Sequence, residues 1–534
     1  MHRLLLILVV AAALVRLPQI YGDPPAGDIS RSAAFLADEG IHGHNALHMA
    51  LLGEWYIKDG FNPGVNTPVF MLFEIFLLKT FGVSLATVRY GAVFCGIIAL
   101  LLFYRLLRTH SRRVALIGSL FWAVAYPLVI YQRLAFIENL LLCFLLAVGL
   151  VWLKALNSGR PDRWIPVFAA LFVLGYLTKP TVSFILPAAI AAAWFHLPAV
   201  AERLRIAALT AFWLLIFGVI LYVFWVSPYY EDWMYYQQLN MTSQLPQTVF
   251  QLGGNYMRMI GHLKFFEFMP ILYTLALIQM LFLIGGKQTR PLSSLEKLLL
   301  CWFLIGFLFL GFFNYSPPRY SLVLMPAVLA LAALMVDALL KNRDQIDLKL
   351  SGWAGYALWL LLGLQIGFGL YRFFVDEQRY ISCFLPLLGP AVFLALKYRR
   401  RSGYLAYGAV VLQLVQIGLY HQSMTFSLRD AMRDVARIIR ETPTDRPAVL
   451  AGDSAMLLAF EARVPAVGVM YRQDRLAQIF ARWRPNFLFL EDVSELPRLQ
   501  RQIPDSLLQV TPIKQYTIMN NYAHGREMVL YRIQ

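Results

Sequence analysis

From residue 4 to residue 420 the chain is a succession of long apolar runs, each broken by a short stretch carrying Arg or Lys. About 20 apolar residues are needed to cross the hydrocarbon core of a bilayer, slightly fewer where helices are bundled. In that environment an uncovered backbone must close its hydrogen bonds within the segment, so such runs have to be helices. The runs are 4–20, 86–105, 114–131, 136–155, 163–178, 181–197, 206–227, 268–285, 298–314, 321–340, 352–371, 381–396 and 402–420. They predict an α-helical polytopic membrane protein with about thirteen spans. Composition agrees: 59% of residues are hydrophobic and 15% charged, against roughly half and a quarter in a soluble domain. Beyond Tyr420 the texture changes to mixed charge with short strand-like runs, which divides the chain into a membrane region, 1–420, and a C-terminal domain, 421–534.

Met1–Ile20 resembles a signal peptide until Arg16-Leu17-Pro18, a poor context for cleavage, so it is read as a retained first span. The apolar run 68–82 is short and carries Glu74 and Lys79. If it does not span, Arg105/Arg108/Arg112/Arg113, Lys154/Arg160/Arg163, Arg203/Arg205, Lys287/Arg290/Lys297, Lys341/Arg343/Lys349 and Lys397/Arg399/Arg400/Arg401 all fall on one side. The opposite short loops then hold only isolated cations, Arg133, Lys179, Arg319, Arg372 and Arg379. Lys and Arg in short loops mark the cytoplasmic side. The expectation is therefore an inner (plasma) membrane protein with a cytoplasmic N-terminus, an interfacial or re-entrant helix over 68–82, and an extracytoplasmic C-terminal domain. The segments 21–85 and 228–267 lie on that same outer side. The net charge of +16 is accounted for by these loops, which excludes a basic face for nucleic acid. Cys95, Cys143, Cys301 and Cys383 lie in or beside apolar runs and have no metal-ligand spacing.

Chemistry is sought in the outer segments. Asp38-Glu39-Gly40 precedes a stretch, 42–57, in which Ala46, Met49, Ala50, Gly53 and Ile57 recur at helical spacing. That pattern predicts a helix lying flat on the membrane with its apolar face down. Asp38 at its start suits either a helix cap or a reactive acid. His42, His44 and His48 raise a metal site, but the pair 44/48 encloses Asn-Ala-Leu and lacks the Glu of zinc proteases, so interfacial histidines are favoured over a divalent ion. Glu138 stands where a span begins, either as a functional acid or as the partner of Arg133. Lys179 follows Thr178 and precedes Pro180; headgroup snorkelling and anion binding both fit it. Arg319-Tyr320 opens a span after two prolines, as an interfacial anchor or as a paired donor to phosphate. The aromatic cluster Tyr229, Tyr230, Trp233, Tyr235 and Tyr236 fits an interfacial belt.

In order along the chain stand Asp38-Glu39-Gly40-Ile41-His42-Gly43, Gly53-Glu54-Trp55-Tyr56, Gly60-Phe61-Asn62-Pro63, Thr67-Pro68, Phe81-Gly82-Val83-Ser84 and Arg89. This series resembles the opening of bacterial GT-C glycosyltransferases, in the protein mannosyltransferase and aminoarabinose transferase branch that uses polyprenyl-phosphate sugars. The resemblance implies a GT-C-like membrane fold, a polyprenyl-phosphate sugar as donor and a lipid, glycan or protein acceptor. It implies Asp38 as the base, Glu39 and Glu138 as supporting acids, and Lys179, Arg319, Tyr320 and His262 at the donor phosphate, with no cofactor. The aminoarabinose transferases carry Glu-Lys-Pro-Pro where this chain has Val65-Asn66-Thr67-Pro68, so the phosphate contacts differ. A lipid-sugar flippase and a non-catalytic scaffold of the same fold are the alternatives; the absence of an evident internal repeat and the placement of charges at the outer boundary favour an enzyme. In the C-terminal domain, a helix around Leu428–Ile439 followed by alternating short strands and helices predicts a small α/β unit, and Gly452-Asp453 is no dinucleotide fingerprint.

Overall fold

The computed structural model describes residues 2–22, 38–58, 60–262, 268–285, 290–314, 317–341 and 404–534, apart from 453, 470–471 and 521–522, together with short pieces between 355 and 392. In chain order the membrane region is built from α1 (His2–Leu14), α2 (Asp38–Leu52), α3 (Pro68–Phe81), α4 (Leu85–Arg108), α5 (Arg112–Val124), α6 (Tyr126–Tyr131), α7 (Ile137–Asn157) and α8 (Pro161–Thr178). It continues with α9 (Ile185–His196), α10 (Val200–Leu221), α11 (Tyr230–Gln244), α12 (Val249–His262), α13 (Pro270–Gly285), α14 (Ser294–Gly311), α15 (Met325–Lys341) and α16 (Tyr404–Gln422).

Their ends follow local chemistry. Ser84 and Ser111 accept from the backbone N–H groups of Thr87 and Val114, and Ser293 forms a capping box with Glu296. Pro127 starts α6 immediately after a break at Ala125, so the run 114–131 is two helices rather than one. Five described helical stretches are long and apolar enough to cross a membrane: Leu85–Arg108, Ile137–Asn157, Val200–Leu239, Ser294–Gly311 and Pro318–Lys341. Shorter apolar helices occupy Arg3–Leu14, Pro180–His196 and Pro270–Gly285. The runs 352–371 and 381–396, with Lys287, Arg343, Lys349, Arg372, Arg379, Cys383 and the 397–401 cations, lie largely or wholly outside the described residues. Helix α3, at 14 residues, extends about 21 Å and falls short of a hydrocarbon core of about 30 Å. A core of aromatic and aliphatic side chains, including Phe103, Trp122, Trp152, Trp302 and Leu329, joins the long helices. At their Arg-rich ends, Asp337 of α15 pairs with Arg113 and, at 2.6 Å, with Lys341.

The C-terminal unit contains α17 (Ser427–Glu441), β1 (Leu450–Ala451), α18 (Ala455–Ala462), β2 (Ala466–Val467), α19 (Leu476–Trp483), β3 (Phe487–Leu490), α20 (Leu496–Gln502), β4 (Val510–Asn520) and β5 (Ala523–Ile533). The sheet order is β2-β1-β3-β5-β4. Strands β2, β1 and β3 are parallel; β5 runs antiparallel to both β3 and β4, with Phe487 opposite Arg532. The terminal hairpin was not anticipated from the sequence. Gly452 sits at φ 130° with Phe489 O where a Cβ would be, 2.0 Å away, so only glycine fits that crossover.

This unit shares a hydrophobic core with the first loop. Ile41, Leu47, Phe61 and Met71 pack in one cluster with Leu428, Val435, Leu458 and Phe460. Helix α2 was expected to lie on the membrane with Ala46, Met49, Ala50, Gly53 and Ile57 facing down; α18 packs on it at Gly40 and Gly43, while Met49 and Ala50 are half-buried and Gly53 is exposed. Gly40 and Gly43 permit the approach, since Cβ atoms there would meet Leu457 N at 2.5 Å and Phe460 Cζ at 2.6 Å. The seam is closed by Leu85 N donating to Glu461 at 3.1 Å and by Arg472 pairing with Asp232, whose other oxygen accepts from Asn62 Nδ2 at 3.2 Å.

Candidate active site

Four helix ends supply the charged groups. Asp38 lies in the first turn of α2 and Glu138 in the first turn of α7, where the partial positive charge of a helix N-terminus favours a carboxylate. Lys179 terminates α8, its backbone extended (φ −157°, ψ 126°) because Pro180 follows. Arg319 and Tyr320 belong to the 3₁₀ turn Pro318–Leu324 that leads into α15. Residues separated by up to 281 positions thus converge at one end of the bundle.

Arg319 bridges the two acids, with Nη2 2.6 Å from Asp38 Oδ2 and Nε 3.3 Å from Glu138 Oε1. Lys179 Nζ donates to Glu138 at 2.5 Å and sits 3.9 Å from the centroid of the Tyr320 ring. Arg319 lies 5.3 Å from the same ring and 5.8 Å from that of Phe136. Side-chain exposures are 15% for Asp38, 2% for Glu138, 13% for Lys179 and 6% for Arg319. Two anions and two cations held this far from water are costly to assemble, since desolvation offsets much of their attraction. Such clusters are where function is sought. The alternative partner of Glu138, Arg133, is engaged elsewhere: it donates to the carbonyls of Arg16 and Gln19, both at 2.8 Å.

Glu39 behaves differently. Both of its oxygens receive Arg89, Nε at 2.9 Å and Nη2 at 2.7 Å, and Oε1 also accepts from Ala135 N at 2.7 Å. The acid expected beside the reacting groups is thus held in a buried clamp joining α2, α4 and the start of α7. Asn45 and Asn62 are likewise committed to shape: Asn45 binds Trp55 O, Asn62 Oδ1 and Gly64 N, and Asn62 binds the backbone of Ile57 at both N and O. Much of the ordered motif between residues 39 and 64 therefore builds the loop. The side chain of His262 lies outside the described residues.

Two further groups lie near the cluster: His42, raised in the sequence only as a possible metal ligand, and Glu74, not read as a site residue. His42, one turn after Asp38, feels Asp38, Glu138, Lys179 and Arg319; burial is the main influence and pushes its imidazole pKa down. Its Nδ1 has no hydrogen-bond partner among the described residues. Glu74 of α3 is 1% exposed, and neither of its oxygens has a partner among them. Burial, then the nearby Glu39, raises its pKa well above the usual carboxylate range, so it is held as the neutral acid. Its position in an apolar run was the only signal available. His44 and His48 stack edge to face at 4.7 Å, and among the described residues no three His, Cys, Asp or Glu side chains converge as a metal-ligand set.

Residues 65–229 match the dolichyl-phosphate-mannose-protein mannosyltransferase family. Among solved structures, the chain is similar to ArnT from Cupriavidus metallidurans bound to undecaprenyl phosphate, at 14% identity and TM-score 0.60, over 99% of this chain and 97% of that one. ArnT from the same organism in the apo state matches at 15% identity and TM-score 0.54 over the same shares. The apo form of the Archaeoglobus fulgidus oligosaccharyltransferase matches at 11% identity and TM-score 0.51, over 92% of this chain and 70% of that one. No curated protein matches the sequence. The fold of this integral membrane protein is the one seen in these ArnT and oligosaccharyltransferase structures.

Proposed function

We propose that this GT-C protein, of the protein mannosyltransferase and ArnT-like branch, moves a sugar from a polyprenyl-phosphate donor to a lipid, glycan or protein acceptor at the outer face of the membrane. The observation that carries the reading is the bridge from Asp38 through Arg319 to Glu138 and Lys179. It brings the carboxylate of Asp38 and the cations Lys179 and Arg319 into one cluster, which supports a base beside groups able to balance a phosphate. The ArnT structure similar to this chain is bound to undecaprenyl phosphate, which supports a donor of that chemical class. The Lys and Arg bias of the short loops supports placing the site and residues 421–534 outside the cytoplasm.

In the proposed step the acceptor hydroxyl or amine gives its proton to Asp38 as its heteroatom attacks the anomeric carbon. The bond from that carbon to the phosphate oxygen breaks, and its electron pair leaves with the polyprenyl phosphate. Lys179 and Arg319 balance the charge that develops there, and Tyr320 keeps both cations oriented. An arriving donor phosphate competes for Arg319 and so releases Asp38 from its ion pair, which frees a carboxylate oxygen to meet the acceptor. Glu138 retains Lys179 in place. No cofactor enters this scheme. A single displacement inverts the anomeric centre.

The test is transfer from a radiolabelled polyprenyl-phosphate sugar in proteoliposomes. Asp38→Asn is expected to abolish transfer while leaving donor binding measurable. Unchanged transfer in that variant sinks the base assignment, and donor translocation without transfer by the unsubstituted protein replaces the enzyme with a flippase.

A further inference from the structure

We infer that His42 is a positioning residue for the transfer step: its ring N–H donates to the Asp38 carboxylate once Arg319 has turned to the donor phosphate. The inference rests on the transferase reading above and adds the group that keeps Asp38 aimed when its ion pair opens.

The placement follows from helix geometry. Asp38 and His42 both belong to α2 and stand four positions, about one turn, apart. Side chains at that spacing are neighbours on one helix face, with Cβ atoms roughly 5–6 Å apart. A helical side chain also leans back over the turn that precedes it, which carries the imidazole toward Asp38 rather than away from it. Phe70 of α3 meets the ring edge to face, with centroids 6.1 Å apart and planes at 82°. Among the charges that the ring feels, Asp38 is the strongest, followed by Lys179, Glu138 and Arg319. Those four are the whole charged cluster, supplied by α2, α8, α7 and the turn before α15, so the ring borders it. The ring is half-buried, while its Nδ1 is closed to solvent and has no partner among the described residues.

The chemistry gives such a neighbour a task. Arg319 holds Asp38 Oδ2 at 2.6 Å, and the side chain is only 15% exposed. When the phosphate draws that guanidinium away, the carboxylate loses the donor that fixed its direction, with little water at hand to replace it. Burial keeps the His42 pKa below its ordinary 6.5, so the ring is neutral at neutral pH and carries one N–H. It restores a donor without adding a positive charge that would draw the phosphate off Lys179 and Arg319. One Asp38 oxygen then accepts from His42, and the other is left for the acceptor's proton. No bond to the ring is made or broken, and the proton that the acceptor loses ends on Asp38. A carboxylate aimed in this way meets the acceptor in the geometry the step requires.

NMR of the full chain in nanodiscs, with 15N-labelled histidine, reads the contact without requiring transfer. Adding undecaprenyl phosphate is expected to bring up one imidazole N–H that exchanges slowly with water and is missing from both His42→Gln and Asp38→Ala. Steady-state transfer in proteoliposomes, with the radiolabelled donor, reads the consequence. His42→Phe keeps a ring against Phe70 but has no N–H; it is expected to lower kcat about tenfold to a hundredfold and to leave the donor KM within about twofold. His42→Gln keeps an N–H and is expected to recover most of that loss. No protected N–H in the undecaprenyl phosphate complex, an unchanged kcat in His42→Phe, or equal damage from Phe and Gln overturns the proposal. Sugar transfer without the protected N–H sinks the role of His42 alone, whereas the protected N–H in a protein that transfers no sugar sinks the transferase reading and that role with it.

Discussion

The two ends of helix α2 solve the burial of polar groups in opposite ways. At its N-terminus, Asp38 and Glu39 each meet an arginine, within 2.6 Å and 2.7 Å respectively. At its C-terminal end, His44 and His48 are buried without a counter-charge, and burial pushes both pKa values down, His48 to about 4. Charge is retained where cations from other helices converge and surrendered where the first loop and the C-terminal domain cover the helix with aromatic side chains. One helix therefore joins a charged cluster to a neutral seam.

If that contrast is right, the largest effects belong to the charged end. Arg319→Ala and Lys179→Ala should each lower the transfer rate on the order of 10²–10³-fold, the range for losing one preorganised donor to a developing oxyanion. Single-turnover transfer in proteoliposomes reads this, and a change confined to KM would make both residues mere docking cations. Next, Arg89→Met leaves Glu39 buried without its ion pair and should cost about 3–5 kcal/mol of stability. Chemical denaturation in detergent measures that loss, and Glu39→Gln in the same background should recover part of it. No recovery would show that Arg89 acts through packing alone.

The neutral end should answer to pH instead. Since His44 and His48 have folded pKa values below their ordinary 6.5, the unfolded chain takes up protons first as pH falls. Their contribution is complete above about pH 6.5 and is lost progressively towards pH 4. Hydrogen exchange over 44–52 and 464–484 should rise within that window and stay flat from pH 7 to 8; an unchanged profile at pH 5 would refute the seam's neutrality. The smallest effect is expected at Glu74. Held as a neutral acid, it should tolerate Glu74→Gln with a change in stability within about 1 kcal/mol at neutral pH, whereas Glu74→Lys should be poorly folded. A large loss in Glu74→Gln would mean that the carboxylate form matters.

Much of this organisation is legible in the sequence because it is local. Apolar runs of span length fix where helices lie, and Pro127, Pro180, Ser84 and Ser293 mark their ends. Asp38, Glu138, Lys179 and Arg319 are also recognisable, since ionisable residues at span boundaries are few. The terminal hairpin of the C-terminal domain escaped because Val510–Asn520 carries no clean alternation and, among the described strands, it pairs with β5 alone.

Which acid does what could not be read locally. Asp38 and Glu39 are adjacent, but successive helix positions diverge by about 100°, so one faces Arg319 and the other Arg89. Their partners lie 281 and 50 residues away, distances over which periodicity carries no information. By itself the sequence determined a membrane-embedded helical chain with charged groups at helix ends, because the bilayer dictates helices and penalises stray charge. Only the tertiary structure decided that Glu39 is a clamp, that Asp38 joins Arg319, and that the C-terminal domain closes over α2, because these are matters of which distant side chains share one buried space.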